Sequence, residues 1–160
     1  MMMMGFALSD MTLKSPVFEE GDALPKKHSG EGKNVSPPLS WSKVPDNTES
    51  YAIICVDPDA PVVKKHGVGF VHWVVYNIPR EIQELKAADT SFTEGVNEQG
   101  AAGYTGPMPP KGHGTHRYYF HVFALDKALN LKPGLSAEKL LKKIEPHVIA
   151  TNRLVGTYTR

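Results

Sequence analysis

Three stretches of the sequence carry the strongest hydrophobic pattern, and each predicts a buried β-strand. They cover residues 50–56, 69–78 and 116–125, and they are rich in β-branched and aromatic residues between turn-forming residues. Apolar side chains occupy both sets of alternating positions, so each strand is apolar on both faces. Such strands are covered on both faces, as in the middle of a sandwich or beneath a helix.

Alternation within the second stretch predicts which way its side chains face. His72 shares a face with Phe70, Val74 and Tyr76, whereas Trp73 faces the other side. A lone histidine among apolar neighbours is more often a hydrogen-bonded core residue than a ligand for a bound molecule. The pattern around His72 therefore leaves both interpretations open.

The remaining pattern is strand-rich with little helix. Ser136 is a suitable N-cap for a helix whose apolar stripe runs through residues 140–149, and Pro146 is expected to kink or split it. Residues 80–88 form a weaker helix candidate, and short strands are expected within residues 11–18 and at 153–158. Dominant strands with a late, sparse helix predict a mainly antiparallel β-sandwich with peripheral helices.

Composition narrows the class of protein. The chain has 160 residues, the size of one domain, and a net charge of +1, which favours neither nucleic acid nor an acidic membrane surface. Its single cysteine, Cys55, stands in an apolar run and is expected to be buried and inert. The N-terminus lacks a basic segment typical of a signal peptide, and no apolar run is long enough to span a membrane. A cytoplasmic protein is expected.

Side chains capable of chemistry gather at the strand ends. Asp57 follows the first strand directly, and the third strand begins with His116 and Tyr118 on one face and Arg117 on the other. Before it lies a loop at residues 100–114 that is rich in glycine and proline, and loops of this length in a compact domain are usually functional or mobile. Considered one at a time, these residues have structural interpretations. Asp57 and Asp59 are expected to cap a turn, Tyr118 to pack in the core and Arg117 to form an ion pair.

Taken together, these residues predict a small site, and anion recognition is the chemistry that fits it best. The sequence contains no nucleophile elbow, no G-x-G-x-x-G and no Walker loop, so no cofactor is expected. Two histidines and an aspartate can bind a metal, but no metal-binding spacing is present. Histidines, a tyrosine hydroxyl and backbone N–H groups of residues 103–106 can hold phosphate or carboxylate, with Asp57 orienting a histidine or binding the cationic end of a zwitterion.

Three motifs in fixed order give the sequence a specific resemblance. "DPDAP" (57–61), "HWVVYNIP" (72–79) and "GPMPPKGHGTHRY" (106–118) resemble the phosphatidylethanolamine-binding protein family, also called Raf kinase inhibitor-like. "NVSPPLSW" near the start and "LVGTY" near the end are similar to that family too. The resemblance implies a Greek-key β-sandwich of one large and one small antiparallel sheet with a few helices. One such domain is expected over residues 1–160, with residues 1–10 flexible.

The resemblance assigns roles to individual residues. It implies a ligand pocket without catalytic residues or a metal. The implied pocket residues are Asp57, Pro61, His72, Gly106, Pro110, His116 and Tyr118. Arg117 is implied to support the pocket from behind by pairing with Asp59. Because the chain ends just after "LVGTY", it is similar to the shorter bacterial and archaeal members, which lack an extra C-terminal helix at the pocket mouth.

The implied function is non-enzymatic binding of a small anion, phosphate or a phosphoethanolamine-like phospholipid head group, with regulation of a kinase or protease as an added role. The alternative is a protease or kinase inhibitor that acts through the loops at 62–69 or 103–110, independently of the pocket. A metal-dependent hydrolase built on the same histidines comes third. Because short members are often homodimers, a homodimer is expected.

Overall fold

Two antiparallel β-sheets and one α-helix make up the regular structure of the described residues. The computed structural model describes residues 6–60 and 69–160. The elements are β1 (Thr12–Lys14), β2 (Leu39–Ser42), β3 (Ser50–Asp57), β4 (Phe70–Pro79), β5 (Glu84–Leu85), β6 (Thr93–Glu94), β7 (His116–Leu125), α1 (Ala137–Ile144) and β8 (Val148–Tyr158). The strand orders are β1-β2-β5 and β6-β4-β3-β7-β8. The predicted mainly-β architecture with a large and a small sheet is confirmed.

The large sheet is covered on both faces, as the doubly apolar strands predict. One face packs against the small sheet, and Trp41 from β2 packs on the Tyr51 ring of β3 in a shared core that also contains Trp73 of β4. The other face packs beneath α1, whose Leu140 and Ile144 are fully buried. All eight residues of β3 are buried because it lies at the centre of the sheet, between β4 and β7.

A β-bulge in β4 changes the direction in which His72 faces. Cys55 of β3 pairs with Trp73, but the next residue, Val56, pairs with Val71, so His72 is the extra residue. The bulge places the His72 ring beside Tyr118, on the side of the sheet that carries Trp73. The prediction that His72 shares a face with Val74 and Tyr76 was therefore wrong, because both lie on the opposite side, beneath α1. Phe70 does lie beside His72, with 4.8 Å between the ring centroids.

The helical predictions were right in one place and wrong in another. Ser136 caps α1 by accepting a hydrogen bond from the Lys139 N–H, and Pro146 lies in a 3-10 turn that ends the helix. The strand that follows already starts at Val148, so β8 is longer than predicted. Residues 80–88 form a turn and the short strand β5 instead of a helix, because pairing of Leu85 with β2 outweighs helix propensity.

N-terminal segments close the outer edge of β8. The N–H groups of Ser9, Gly21 and Leu24 donate to carbonyl groups of that strand at 2.8–2.9 Å. Covering an edge in this way prevents unwanted strand pairing. Part of the predicted flexible segment, residues 1–5, lies outside the described residues, and the flexibility of residues 1–10 stays a prediction. Among the described helices, none has the length and apolar character needed to cross a bilayer.

Candidate functional site

A cavity of about 360 Å³ opens where β3 ends and where β4 and β7 begin. Because β3 is antiparallel to both neighbours, its last residue lies at the same end of the sheet as their first residues. The lining residues are Asp57, Ala60, Phe70, Gln99, Thr105, Gly106, Met108, Pro109, Pro110, His116 and Tyr118. Five of the predicted pocket residues therefore lie together, and Pro61 falls outside the described residues.

Asp57 and His116 form a buried pair on one wall of the cavity. The His116 Nδ1 lies 2.7 Å from Asp57 Oδ2, and both side chains are almost fully buried. The second carboxylate oxygen, Oδ1, accepts the Asp59 N–H at 2.7 Å. Burial raises the pKa of the Asp57 carboxyl, although the bonds from His116 and Asp59 oppose that rise. Since both oxygens are engaged, Asp57 orients His116 and also caps the turn after β3.

Tyr118 brings a hydroxyl group to the cavity from a buried ring. The residue is 1% exposed, and its hydroxyl has no hydrogen-bond partner among residues 6–60 and 69–160. Burial, followed by the charge of Asp57, raises the pKa of the phenol well above its ordinary value. The group therefore stays protonated and can donate a hydrogen bond to a ligand.

His72 lies behind the cavity and does not line it. Its ring packs edge-on against Tyr118 at 5.1 Å between centroids, and its Nδ1 bonds the Thr105 carbonyl at 2.6 Å. Burial lowers the pKa of His72 to about 4, so the ring is neutral at pH 7 and its Nδ1–H is the donor. The geometry gives His72 a positioning role towards Tyr118 and Thr105; direct ligand binding by His72 stays a prediction.

Arg117 and Asp59 hold the outside of this wall. The guanidinium donates to both carboxylate oxygens at 2.8 and 3.0 Å, and the Arg117 N–H adds a third bond at 2.9 Å. Arg117 lowers the pKa of the Asp59 carboxyl. Because Asp59 also donates its own N–H to Asp57, this pair fixes the turn that carries the buried carboxylate.

The opposite wall is a segment here named the pocket loop, residues 103–112. Its Gly106 N–H donates to Asn34 Oδ1 at 2.6 Å, and a Cβ at Gly106 would lie 2.4 Å from the His28 carbonyl oxygen. The Thr105 N–H donates to the His72 carbonyl. The Thr105 and Gly106 N–H groups are thus used inside the protein. Anion binding by other backbone N–H groups of residues 103–106 stays a prediction. Pro110 lines the cavity without offering an N–H.

His113 is the functional candidate that sequence reasoning missed. Its Nδ1 lies 2.6 Å from Nε2 of His116, which lines the cavity. The signal was present in the sequence, because His113 stands between two glycines three residues before His116. Gln99 and Met108 were also missed; they come from loops whose path only the folded chain defines.

Metal binding and thiol chemistry find no support in the described part of the chain. Across residues 6–60 and 69–160, no group of three or more histidine, cysteine, aspartate or glutamate residues has an arrangement that could hold a metal ion. Cys55 is buried, and burial raises the pKa of its thiol well above the ordinary value. The site instead offers hydrogen-bond donors: the Tyr118 hydroxyl, the Gln99 amide and, when protonated, His116.

Comparison with known proteins gives consistent matches. Residues 14–159 match the model of the phosphatidylethanolamine-binding protein family. A UPF0098 protein of Methanothermobacter thermautotrophicus is 39% identical over 157 residues, covering 94% of this chain and 99% of that protein. A phosphatidylethanolamine-binding protein homologue from Chlamydia trachomatis has 39% identity and a TM-score of 0.87, covering 94% of this chain and 97% of the other. E. coli YbcL, described as a member of the mammalian family, has 32% identity and a TM-score of 0.85, covering 95% and 99%.

Proposed function

The chain belongs to the phosphatidylethanolamine-binding protein family, and from this membership and the cavity geometry we propose that it is a non-enzymatic binding protein for small anions. The ligand class is phosphate or carboxylate, free or as part of a small head group such as phosphoethanolamine. The observation that carries the proposal is the Tyr118 hydroxyl, a protonated donor on a buried ring that faces the cavity without a partner among the described residues. Donors left unpaired at a cavity wall favour a ligand rich in acceptors.

The charge balance of the wall supports an anion. Both oxygens of Asp57 are occupied, and a proton on His116 cancels the charge of that carboxylate. His72 stays neutral at pH 7 and adds no charge. The Tyr118 hydroxyl and a protonated His116 then converge on the ligand as donors. Charged hydrogen bonds of this kind are the stronger ones.

The cavity has room for more than an inorganic ion. Its volume of about 360 Å³ falls within the usual range for small-molecule sites. Phe70, Met108 and Pro109 add apolar surface around the polar wall. A phosphate that carries a short organic substituent would contact the donors with its oxygens and the apolar residues with its substituent.

Calorimetric titration with inorganic phosphate and with phosphoethanolamine tests this function. We expect Tyr118→Phe to weaken both by about 10- to 100-fold, because a hydrogen bond to a charged group is worth about 1.5–3 kcal/mol. Tyr119→Phe is the matched control, since Tyr119 is the next residue on the same strand and faces the other side of the sheet. Unchanged affinity in Tyr118→Phe, or an equal loss in the control, would remove the assignment of this cavity.

Roles towards protein partners stay predictions drawn from the family. Of the two loops considered for inhibition of a protease or kinase, residues 62–68 lie outside the described residues. The other, residues 103–110 within the pocket loop, is hydrogen-bonded to residues 28–34. The Tyr104 hydroxyl and the Gly106 N–H donate to that segment, and the Gly30 N–H donates back to the Pro107 carbonyl. An inhibition assay with Tyr118→Phe against a protease and kinase panel would separate a loop-based role from a pocket-based one. Sedimentation would test the homodimer.

A further inference from the structure

Both ring nitrogens of His116 are engaged by other side chains of the protein. Nδ1 lies 2.7 Å from Asp57 Oδ2, and Nε2 lies 2.6 Å from His113 Nδ1. The two imidazole centroids are 4.8 Å apart, inclined at 60°. An anion that approaches His116 from the cavity therefore meets a nitrogen already engaged by His113, in the turn just before β7.

His113 is placed where it can leave. Its side chain is exposed, and among the described residues its ring makes no polar contact other than the one to His116. The flanking residues Gly112 and Gly114 have φ angles of 76° and 98°, and nothing lies within 4 Å of the position of an added Cβ at either one. Glycine tolerates these angles and changes in them at low cost. The imidazole can swing away without moving the buried end of β7.

The hydrogen positions mean that His113 and an anion cannot both bond to His116 Nε2. An ionised Asp57 only accepts, so His116 Nδ1 carries the hydrogen and Nε2 of a neutral His116 is an acceptor. His113 satisfies that acceptor by donating its Nδ1–H. An anion also only accepts, so it can use His116 Nε2 only when that atom carries a proton and His113 has left. Binding then takes up one proton and breaks the contact between the two histidines.

We propose that His113 is an internal competitor of the ligand: it occupies His116 Nε2 in the free protein and must be displaced before an anion binds there. The inference rests on the proposed function and adds to it a residue that sets both affinity and pH dependence. His113 lowers affinity because the ligand must first displace it from His116 Nε2. Because binding takes up one proton, a lower pH favours the ligand-bound state.

Several other charged or titratable groups surround the two histidines on the described elements. They include Asp57, Asp59, His72, Lys111, Arg117, Tyr118, Tyr158, Arg160 and Glu31. Asp59 is paired with Arg117, and Arg160 lies 3.3 Å from Glu31. His72 has a pKa of about 4 because it is buried, so it stays neutral above pH 5.5.

Sulfate is the appropriate probe because its own charge does not change between pH 5.5 and 8. The full chain is titrated with sulfate by calorimetry, comparing the parent, His113→Ala, His116→Gln and His147→Ala. His147 pairs with Asp126 at 3.0 Å and lies outside the cavity lining, so it is a matched His–Asp control. His113→Ala is an exposed substitution that leaves the core unchanged.

At pH 7.5 we expect His113→Ala to bind sulfate about fivefold more tightly than the parent, the factor that corresponds to a net hydrogen bond of about 1 kcal/mol. Parent affinity should rise as the pH falls from 8 to 5.5, and His147→Ala should follow the parent. Equal or weaker binding by His113→Ala, with binding lost in His116→Gln, would overturn the competitor role and leave the site assignment standing. Parent-like binding by His116→Gln would instead overturn the site assignment.

Discussion

His121 on β7 is a buried histidine whose titration should shape the pH dependence of stability. It is 2% exposed and lies between the rings of Tyr119 and Phe123. The centroid of the His121 ring is 6.1 Å from the centroid of each of these two rings. Its Nε2 has no hydrogen-bond partner among the described residues. Burial, followed by the positive charge of Arg153, lowers the pKa of His121 from 6.5 to about 3.

The sign of the effect follows from the direction of that shift. The unfolded chain takes up a proton at His121 as the pH falls below about 6.5, whereas the folded chain does not until about pH 3. Stability is therefore full above pH 6.5 and is lost progressively as the pH falls towards 3. At pH 4.5 the loss from this residue amounts to about 3 kcal/mol.

His121→Phe removes this titration and the unpaired nitrogen while keeping an aromatic ring between Tyr119 and Phe123. We expect the variant to be at least as stable as the parent at pH 8, and the difference between them to grow by about 3 kcal/mol at pH 4.5. Urea unfolding followed by far-UV circular dichroism at pH 8, 6.5, 5.5 and 4.5 measures it. His147→Gln, at a half-buried position where the histidine is bonded to Asp126, should show no such growth. A difference between variant and parent that stays constant with pH would refute the reasoning.

Three further substitutions test the scaffold around the site. Gly106→Ala should destabilise the fold by about 1–3 kcal/mol and weaken phosphate binding, because its Cβ would collide with the His28 carbonyl. Parent-like stability in urea unfolding and parent-like phosphate affinity would contradict this close packing. Arg117→Gln should cost about 1 kcal/mol or less, because its pair with Asp59 is exposed, and a larger loss in urea unfolding would show that the pair carries more of the wall. Ser136→Ala should cost about 1 kcal/mol through the lost helix cap without changing phosphate affinity, and a change in affinity would contradict the separation of α1 from the cavity.

The strand core could be predicted from the sequence because its signal is local. β-branched and aromatic residues between turn formers identify the three central strands, and alternation separates Arg117 from Tyr118 correctly. The same alternation fails at His72, where a bulge inserts one residue into β4. A bulge depends on pairing with the neighbouring strand, so no periodicity along a single strand can reveal it.

Several residues that line the cavity could be predicted from the sequence, but the contacts among them could not. Motif resemblance gathers Asp57, His116 and Tyr118, and all three line the cavity. The contact between His113 and His116 depends on how a glycine-rich loop turns back on its own strand, and no pattern along the chain specifies that path. The hydrogen bonds from the Thr105 and Gly106 N–H groups to His72 and Asn34 likewise join segments that are far apart in sequence.

A crystal structure grown from a phosphate or sulfate solution tests the central claim most directly. The account predicts a tetrahedral anion within hydrogen-bond distance of the Tyr118 hydroxyl and His116 Nε2, with the His113 ring displaced from the 2.6 Å contact that it makes in the free protein. An empty cavity at saturating anion, with His113 still bonded to His116 and anions bound only elsewhere, would contradict it.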